Sequence, residues 1–219
     1  MRLLIMGPPG AGKGTQAVLI KEFYNIEHIS TGEAFREAMA NHTPLGEIAR
    51  KHIDHGQLVP DSITIGLVNE KLSTLDCNKG FLLDGFPRTI AQAEALDQIL
   101  NELNKPLDLV INIECDYDKL VKRIAGRRVC PTCNAGYHIE SMKPKVEGIC
   151  DVCGGKLITR ADDNKETVLD RLDIYEKQTK PLLEYYNNQK LVITVNGDGN
   201  INDIFENIKL ILGGLKWFP

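Results

Sequence analysis

The strongest constraint on the fold is a glycine-rich segment directly after the first apolar stretch of the chain. Residues 7–15 read Gly-Pro-Pro-Gly-Ala-Gly-Lys-Gly-Thr, and they follow a strand-like segment at residues 3–6. This order is typical of a phosphate-binding loop, in which glycines allow backbone N–H groups to surround a phosphate. The helix that follows directs its positive N-terminal end at the same point. The chain is therefore predicted to bind a nucleoside polyphosphate.

Within this loop, Lys13 is placed to reach the outer phosphates as a point charge. The general pattern has Ser or Thr directly after the lysine, where the hydroxyl holds Mg²⁺. Here that position is Gly14, and the first hydroxyl belongs to Thr15. We therefore expect the loop to hold the metal less directly than the general pattern does.

Composition excludes several classes of protein. The 219 residues are 42% hydrophobic and 26% charged, as in a globular protein with one substantial core and small insertions. No apolar run approaches the roughly 18 residues of a membrane span, and the N-terminus lacks the pattern of a signal peptide. A net charge of −4 argues against a nucleic-acid-binding surface. We therefore expect a cytoplasmic protein without membrane or nucleic-acid partners.

Four of the six cysteines form two Cys-x-x-Cys pairs with sixteen residues between them: Cys130, Cys133, Cys150 and Cys153. Inside the cell this spacing predicts a metal site rather than disulfides. Four thiolates leave no open coordination position, which indicates a structural site. Zinc is expected, although cobalt or iron could occupy the same tetrahedron. We interpret the isolated Cys77 and Cys115 as small buried apolar residues.

Apolar segments alternate with helical patterns along most of the chain. The predicted strands are residues 3–6, 26–29, 81–83, 107–113 and 191–195. The predicted helices begin near residues 13 and 116 and cover residues 89–103 and 201–212. This alternation predicts an α/β fold, with a phosphate-loop core whose parallel five-stranded sheet is flanked by helices.

Two stretches interrupt the alternation and are predicted to be insertions. Residues 30–59 contain short helical patterns and no convincing strand, with Ser30 and Glu33 at capping-box spacing. Residues 126–163 contain the paired cysteines and short strand-like segments such as 136–139. The core is then predicted to comprise residues 1–29, 60–125 and 164–219.

A second group of polar residues follows the predicted strand at 81–83. Asp84 comes at the carboxyl edge of the sheet, where an acid meets Mg²⁺ in phosphate-loop proteins. The next residues include a glycine, which would allow close approach of a ligand, an arginine, which could bind a phosphate, and an amide, which could bind the edge of a base. Those residues are Gly85, Phe86, Pro87, Arg88 and, one helical turn later, Gln92. They predict a second nucleotide pocket.

In this order, the motifs resemble those of the adenylate kinase family, in its bacterial long form with a metal-bearing lid. The matching segments are the phosphate-binding loop, Ser30-Thr31-Gly32, Leu83-Asp84-Gly85-Phe86-Pro87-Arg88, Gly126-Arg127-Arg128 and the cysteine pairs. The resemblance extends from residue 1 to about residue 214. It implies reversible transfer of a phosphoryl group from MgATP to AMP, giving two ADP. Residues 30–59 would be the AMP-binding arm, and residues 126–163 a lid with structural Zn²⁺.

The resemblance also implies roles for individual residues. The contacts to the donor ATP would be Gly10, Ala11, Gly12, Lys13, Gly14, Thr15, Arg127, Gly136, Tyr137 and Gly199. The contacts to AMP would be Thr31, Arg36, Gln57, Leu58, Val59, Gly85, Phe86, Pro87, Arg88, Gln92, Arg160 and Arg171. The residues acting on the transferred group would be Lys13, Asp84, Arg88, Arg123, Arg127, Arg160 and Arg171.

Arginine suits phosphoryl transfer because its planar fork can hold two phosphate oxygens at once. The chain has only nine arginines, and several fall within these motifs. Arg123 and Arg127 are four residues apart, so a continuous helix would place them on one face. We interpret Arg2 and Arg50 as solvated surface charges.

Two alternatives remain open on the sequence. The first is a related monophosphate kinase that uses GTP as donor or CMP or UMP as acceptor. The second is a nucleotide-binding regulatory protein with a zinc ribbon and no turnover that depends on an acceptor. In either kinase interpretation we expect small nucleotides as the partners and a monomeric enzyme.

Overall fold

The computed structural model describes residues 1–74 and 79–214. The interpretation of Cys77 lies outside these residues. The strands are β1 (Arg2–Met6), β2 (Glu27–Ser30), β3 (Phe81–Asp84), β4 (Leu109–Glu114), β5 (Arg127–Val129), β6 (Gly136–His138) and β7 (Val192–Asn196). The α-helices are α1 (Lys13–Tyr24), α2 (Thr31–Ala40), α3 (Pro44–Ile53), α4 (Asp61–Thr74), α5 (Ile90–Glu102), α6 (Tyr117–Ala125), α7 (Lys165–Ile174), α8 (Leu182–Asn188) and α9 (Ile201–Gly213).

The central sheet has five parallel strands in the order β2-β3-β1-β4-β7. The predicted α/β fold and five-stranded parallel sheet are therefore confirmed. β1 lies in the middle, with Ile5 paired to Asp84 of β3 on one side and to Ile111 of β4 on the other. Because all five strands point the same way, the loops after β1 and β3 meet at one edge of the sheet.

Each face of the sheet carries its own hydrophobic core, because successive strand residues point to opposite faces. Leu3 and Ile5 belong to the core that packs against α1, α6, α7 and α9. Leu4 and Met6 belong to the core that packs against α4, α5 and α8. In the described part of the chain, no helix combines the length and apolar content needed to cross a bilayer.

The insertion after β2 is a pair of helices, as predicted. The Ser30 hydroxyl accepts a hydrogen bond from the Glu33 N–H at the start of α2. Thr43 caps α3 in the same way, by accepting from the Gly46 N–H. A small separate core that includes Phe35 and Ala49 holds the two helices together.

The second insertion contains the antiparallel strands β5 and β6. The suggestion that Arg123 and Arg127 share a helix face is wrong, because α6 ends at Ala125 and Arg127 begins β5. The chain turns at Gly126, where a β-carbon would lie 2.4 Å from the His138 ring. The imidazole therefore packs directly on the backbone at the point where the helix stops.

Candidate active site

The phosphate-binding loop joins β1 to α1 at the carboxyl edge of the sheet. Gly7, Gly10 and Gly12 have positive φ angles, which L side chains rarely adopt. A β-carbon at Gly7 would also lie 2.3 Å from the Ile113 carbonyl oxygen of β4. Gly12 is the N-cap of α1 and provides no side chain to occupy the first helical N–H groups. The loop therefore has the geometry of an anion-binding site.

Lys13 points back into this loop. Its Nζ donates hydrogen bonds to the carbonyl oxygens of Gly7 and Pro8, at 2.7 and 2.9 Å. Desolvation lowers the pKa of Lys13 to about 7, against the opposing effect of Asp84, and Arg88 and other arginines lower it further. A nearby phosphate would favour the protonated lysine and raise this pKa.

Asp84 faces the loop from the end of β3. A β-carbon at Gly14 would lie 3.9 Å from Asp84 Oδ2, so glycine leaves space between the loop and the carboxylate. His28 of β2, which the sequence analysis did not identify, places Nε2 3.7 Å from the same oxygen. Burial alone would raise the pKa of Asp84, but His28, Lys13 and Arg88 outweigh it and the pKa is lowered. Asp84 is therefore an ionised carboxylate at neutral pH, which is the charge state needed to bind a hydrated cation.

A buried acidic pair, which the sequence analysis also missed, holds the arginines of the site. Arg127 donates two hydrogen bonds to the carboxylate of Asp163, one of them from Nε to Oδ2 at 2.8 Å. Arg171 Nη1 lies 2.8 Å from Asp162 Oδ2 and 3.2 Å from Asp163 Oδ1. The Asp163 carboxylate is fully buried. The acidic pair thus fixes two guanidinium groups from different elements, β5 and α7.

Three further arginines belong to the same electrostatic group. Burial lowers the pKa of Arg36 and lowers that of Arg160 to about 9, while Asp162 acts in the opposite direction on both. The pKa of Arg88 is lowered to about 10 by burial and by Arg171. All three side chains stay cationic at neutral pH. The site therefore concentrates positive charge in a chain whose net charge is −4.

Arg123 stands apart from this group. Its Nη1 donates to Cys115 Sγ at 3.2 Å, and the thiol donates to Asp198 Oδ1 at 2.8 Å. Four of the five arginines predicted to act on the transferred group are thus brought together, whereas Arg123 of α6 directs its guanidinium group to Cys115, the residue after β4. Cys115 packs against the hydrophobic core, in line with its interpretation as a small apolar residue, but it is only half-buried and its thiol is also hydrogen-bonded. Burial and Asp198 raise the pKa of this thiol to about 11.

A cavity of about 560 Å³, including space open to solvent, lies between the helical insertion and the end of β3. Nine of the twelve predicted AMP contacts line it: Thr31, Arg36, Gln57, Leu58, Val59, Gly85, Arg88, Gln92 and Arg171. Further lining residues that were not predicted are Gly32, Phe35, Ile53, Gly56, Thr64 and Asp162. Phe86 packs in the hydrophobic core instead, and neither Pro87 nor Arg160 is among the residues that line the cavity.

The four predicted metal ligands come together in the lid, with their sulfur atoms within 4.8 Å of one another. Each Cys-x-x-Cys pair forms its own turn, and the two turns have the same hydrogen bond. The Asn134 N–H donates to the Cys130 carbonyl, and the Gly154 N–H donates to the Cys150 carbonyl. A zinc ion about 2.3 Å from each sulfur implies S···S separations of about 3.8 Å. The cluster therefore fits zinc.

Two predicted donor contacts, Gly136 and Tyr137, lie on strand β6 of the lid. Gly136 is exposed, but the Tyr137 side chain is buried beside the metal cluster. Its hydroxyl accepts from the Asp151 N–H at 2.7 Å and lowers the pKa of Cys150 to about 6. Gly199 follows β7, in a turn that reaches the phosphate-binding loop: a β-carbon on the neighbouring Gly197 would lie 3.2 Å from the Ala11 carbonyl oxygen.

Comparison with known proteins agrees with this geometry. The family model for adenylate kinase matches residues 5–191. The chain is 56% identical over 216 residues to the adenylate kinase of Bacillus subtilis and 52% identical to that of Clostridium tetani. Each match covers 99% of this chain and the whole of the relative. The prediction of a phosphotransferase with a zinc-binding lid is confirmed, and the chain belongs to the adenylate kinase family.

Proposed function

We propose that this chain transfers the γ-phosphoryl group of MgATP to AMP, reversibly, giving two molecules of ADP. The observation that carries the proposal is the meeting of a phosphate-binding loop and a separate arginine-lined cavity at one cationic centre. The phosphate-binding loop contributes Lys13, the separate cavity is lined by Arg88 and Arg171, and both arginines lie close enough to lower the lysine pKa. A second phosphate site beside the first suits transfer to another nucleotide better than hydrolysis.

The donor would be held by residues 10–15 and the turn that contains Gly199. Lys13 would exchange its loop carbonyl contacts for the outer phosphates. Since the Tyr137 side chain is buried in the lid, we assign the lid contact to the exposed Gly136 and to the Tyr137 backbone. Arg123 would act at the donor nucleotide, because its contact with Cys115 places it near the β7–α9 turn rather than among the clustered arginines.

AMP would occupy the cavity beneath α2 and α3. Arg36, Arg88 and Arg171 line the cavity and would bind the AMP phosphate, which would also loosen the Arg171 contact with Asp162. Gln92 lines the same cavity and would read the base. We retain Phe86, Pro87 and Arg160 as supports of this site rather than as lining groups, since Phe86 lies in the core below it.

In the transfer step, an oxygen of the AMP phosphate attacks the γ-phosphorus, and the bond from that phosphorus to the bridging β-oxygen breaks. Arg88, Arg127, Arg160 and Arg171 would balance the charge on the equatorial oxygens, and no general base is required. When bound, Mg²⁺ would neutralise charge on the donor phosphates, and Asp84 would hold its water ligands. Structural zinc supplies no reaction chemistry and cross-links the cysteine turns of the lid.

We also propose the domain limits that the sequence predicts: a core of residues 1–29, 60–125 and 164–219, an arm at 30–59 and a lid at 126–163. The antiparallel pairing of β5 begins at Arg127, and Arg127 is joined to Asp163 at the other end of the lid. Lid closure would exclude water, which otherwise competes with AMP for the phosphoryl group. A cytoplasmic monomer fits, because both sites lie in one chain and the metal site needs reduced thiols.

A matrix of donors and acceptors tests the proposal. Purified enzyme is given ATP or GTP as the donor and AMP, CMP, UMP or no acceptor, and all nucleotide products are separated and counted. We expect two ADP for each pair of ATP and AMP consumed, and little ADP without AMP. Preference for CMP or UMP would favour a related monophosphate kinase. Nucleotide binding without turnover that depends on an acceptor would contradict enzyme function.

A further inference from the structure

We propose that Asp61 is a positioning residue that locks the side-chain amide of Gln92 in one orientation and so makes the acceptor cavity select adenine over the 6-oxopurines guanine and hypoxanthine. The inference rests on the proposed function, because it concerns the base end of the AMP cavity. Asp61 is the first residue of α4 and is not among the residues that line the cavity, so it would act through Gln92.

Gln92 is the buried polar group best placed to read a base. Its side chain lines the cavity, and the residue is only 1% exposed. The hydroxyl of Thr31 donates to the Gly85 carbonyl, and that of Thr64 donates to backbone carbonyls. Gln57 is exposed at the cavity mouth. The arginines are drawn to the phosphate end by charge, which leaves the Gln92 amide for the base.

The amide of Gln92 is held on both of its polar atoms. Nε2 donates to Asp61 Oδ1 at 2.7 Å, and Oε1 accepts from the Arg88 backbone N–H at 2.7 Å. A carboxylate can only accept and a backbone N–H can only donate. If Oε1 and Nε2 exchanged places, Oε1 would face the Asp61 carboxylate, acceptor against acceptor. Nε2 would then face the Arg88 N–H, donor against donor. Asp61 is itself fixed, since the Thr89 hydroxyl donates to its second oxygen at 2.9 Å.

The locked amide keeps one N–H and one oxygen lone pair for a ligand. Adenine presents a donor, the N6 amino group, beside an acceptor, N1. Guanine and hypoxanthine present the reverse, with an O6 acceptor beside an N1–H donor. An amide free to turn over would satisfy either pattern, whereas a locked amide that fits adenine opposes a 6-oxopurine at both atoms. Discrimination of this kind is strong because it leaves buried polar groups unpaired in the wrong complex.

The test compares AMP with IMP as acceptors in the wild-type protein and in the Asp61→Asn variant. An asparagine can accept from Nε2 or donate to Oε1, so it supports both amide orientations. We expect the ratio of kcat/KM for AMP to that for IMP to fall roughly tenfold, the scale of one charge-assisted hydrogen bond. The fall should be partial because the Arg88 N–H remains. The KM for ATP should stay unchanged.

Asp97→Asn provides a matched control. Asp97 is a carboxylate on α5, the same helix as Gln92, and it also accepts from a hydroxyl and a glutamine amide, those of Tyr185 and Gln189. It is not among the cavity residues, so this variant should keep the wild-type ratio. If Asp61→Asn does not fold, Thr89→Val removes the hydroxyl that donates to Asp61 and should lower the ratio less, in the same direction. The same hydroxyl also caps α5 by accepting from the Gln92 N–H. Loss of this cap should weaken the binding of AMP and IMP alike, so the ratio still reports the orientation of the amide.

An unchanged ratio in a folded Asp61→Asn protein would overturn the inference. An equal loss for AMP and IMP would also overturn it, since this is the result of a role confined to the stability of α4. Failure of the wild-type enzyme to use AMP at all would instead contradict the proposed function. The two failures are distinguishable because the second is seen before any variant is made.

Discussion

Removing one metal ligand should loosen the lid and leave the core intact. Cys133→Ser is a selective change, because Cys133 is exposed, unlike Cys130 and Cys150, and the substitution alters little packing. Apart from the sulfurs, the buried side chains of the lid cluster are Tyr137 and Leu157, and each contributes about 1.5–3 kcal/mol. Structural zinc contributes about 10–16 kcal/mol in small zinc domains at neutral pH. The metal, rather than apolar contact, should therefore dominate the stability of the lid.

Hydrogen exchange measured by peptide mass spectrometry tests this prediction directly. The amides to follow are those of the two cysteine turns, Asn134 and Gly154, whose hydrogen bonds depend on the turns staying closed. Their protection should fall at least about a hundredfold in Cys133→Ser, as expected when local opening no longer breaks a complete metal site. Peptides from β1 and β4 should exchange as in the wild-type protein.

Thr132→Ala is the matched control, because Thr132 is an exposed residue of the same turn that carries no thiol. This variant should retain zinc by metal analysis and keep the wild-type protection. Cys133→Ser should also hydrolyse more ATP for each phosphoryl group transferred, because a loose lid admits water. Unchanged lid exchange in Cys133→Ser, with zinc absent, would refute the reasoning, as would an equal loss of protection in Thr132→Ala.

Three further predictions concern the cationic centre. Lys13→Ala should lower kcat about a hundredfold or more with unchanged melting, in steady-state assays; near-normal activity would contradict the proposed role. Because the pKa of Lys13 is about 7 and a bound phosphate raises it, ATP binding at pH 7.5 should take up about three-quarters of a proton. Calorimetry in buffers of different ionisation enthalpy measures this uptake, which Lys13→Ala should abolish. Asp163→Asn should cost about 3 kcal/mol and lower the melting temperature, since it breaks buried pairs with Arg127 and Arg171.

The sequence predicted well those features that depend on local order along the chain. The phosphate-binding loop and Asp84 could be placed together because each follows a buried strand, and parallel strands end at the same edge. The metal site could be predicted because each Cys-x-x-Cys pair forms a turn by itself. The lid then needed only to bring two such turns together.

The features that the sequence analysis missed depend on residues that are distant in sequence. Helix α4 was not predicted, because its consecutive β-branched residues Ile63, Thr64 and Ile65 favour strands locally. Its packing against α5, which is distant in sequence, supports the helix instead. The spacing of Arg123 and Arg127 suggested one shared helix face, whereas pairing with His138 in β6 makes Arg127 the first residue of a strand. His28 could not be identified from the sequence, because its role depends on its proximity to Asp84, which lies on the neighbouring strand.

Asp162 and Asp163 explain why the arginine site can exist before any nucleotide arrives. Five guanidinium groups and Lys13 share one cleft, and the pKa values of Lys13 and of several of these arginines are lowered by their cationic neighbours as well as by burial. Two buried carboxylates offset part of this repulsion and hold Arg127 and Arg171 in place. They leave the remaining charge to be balanced by the nucleotide phosphates. The acidic pair therefore stabilises the fold and still leaves an excess of positive charge that attracts the nucleotide phosphates. Removing the pair should lower the melting temperature and also impair the alignment of the transferred group.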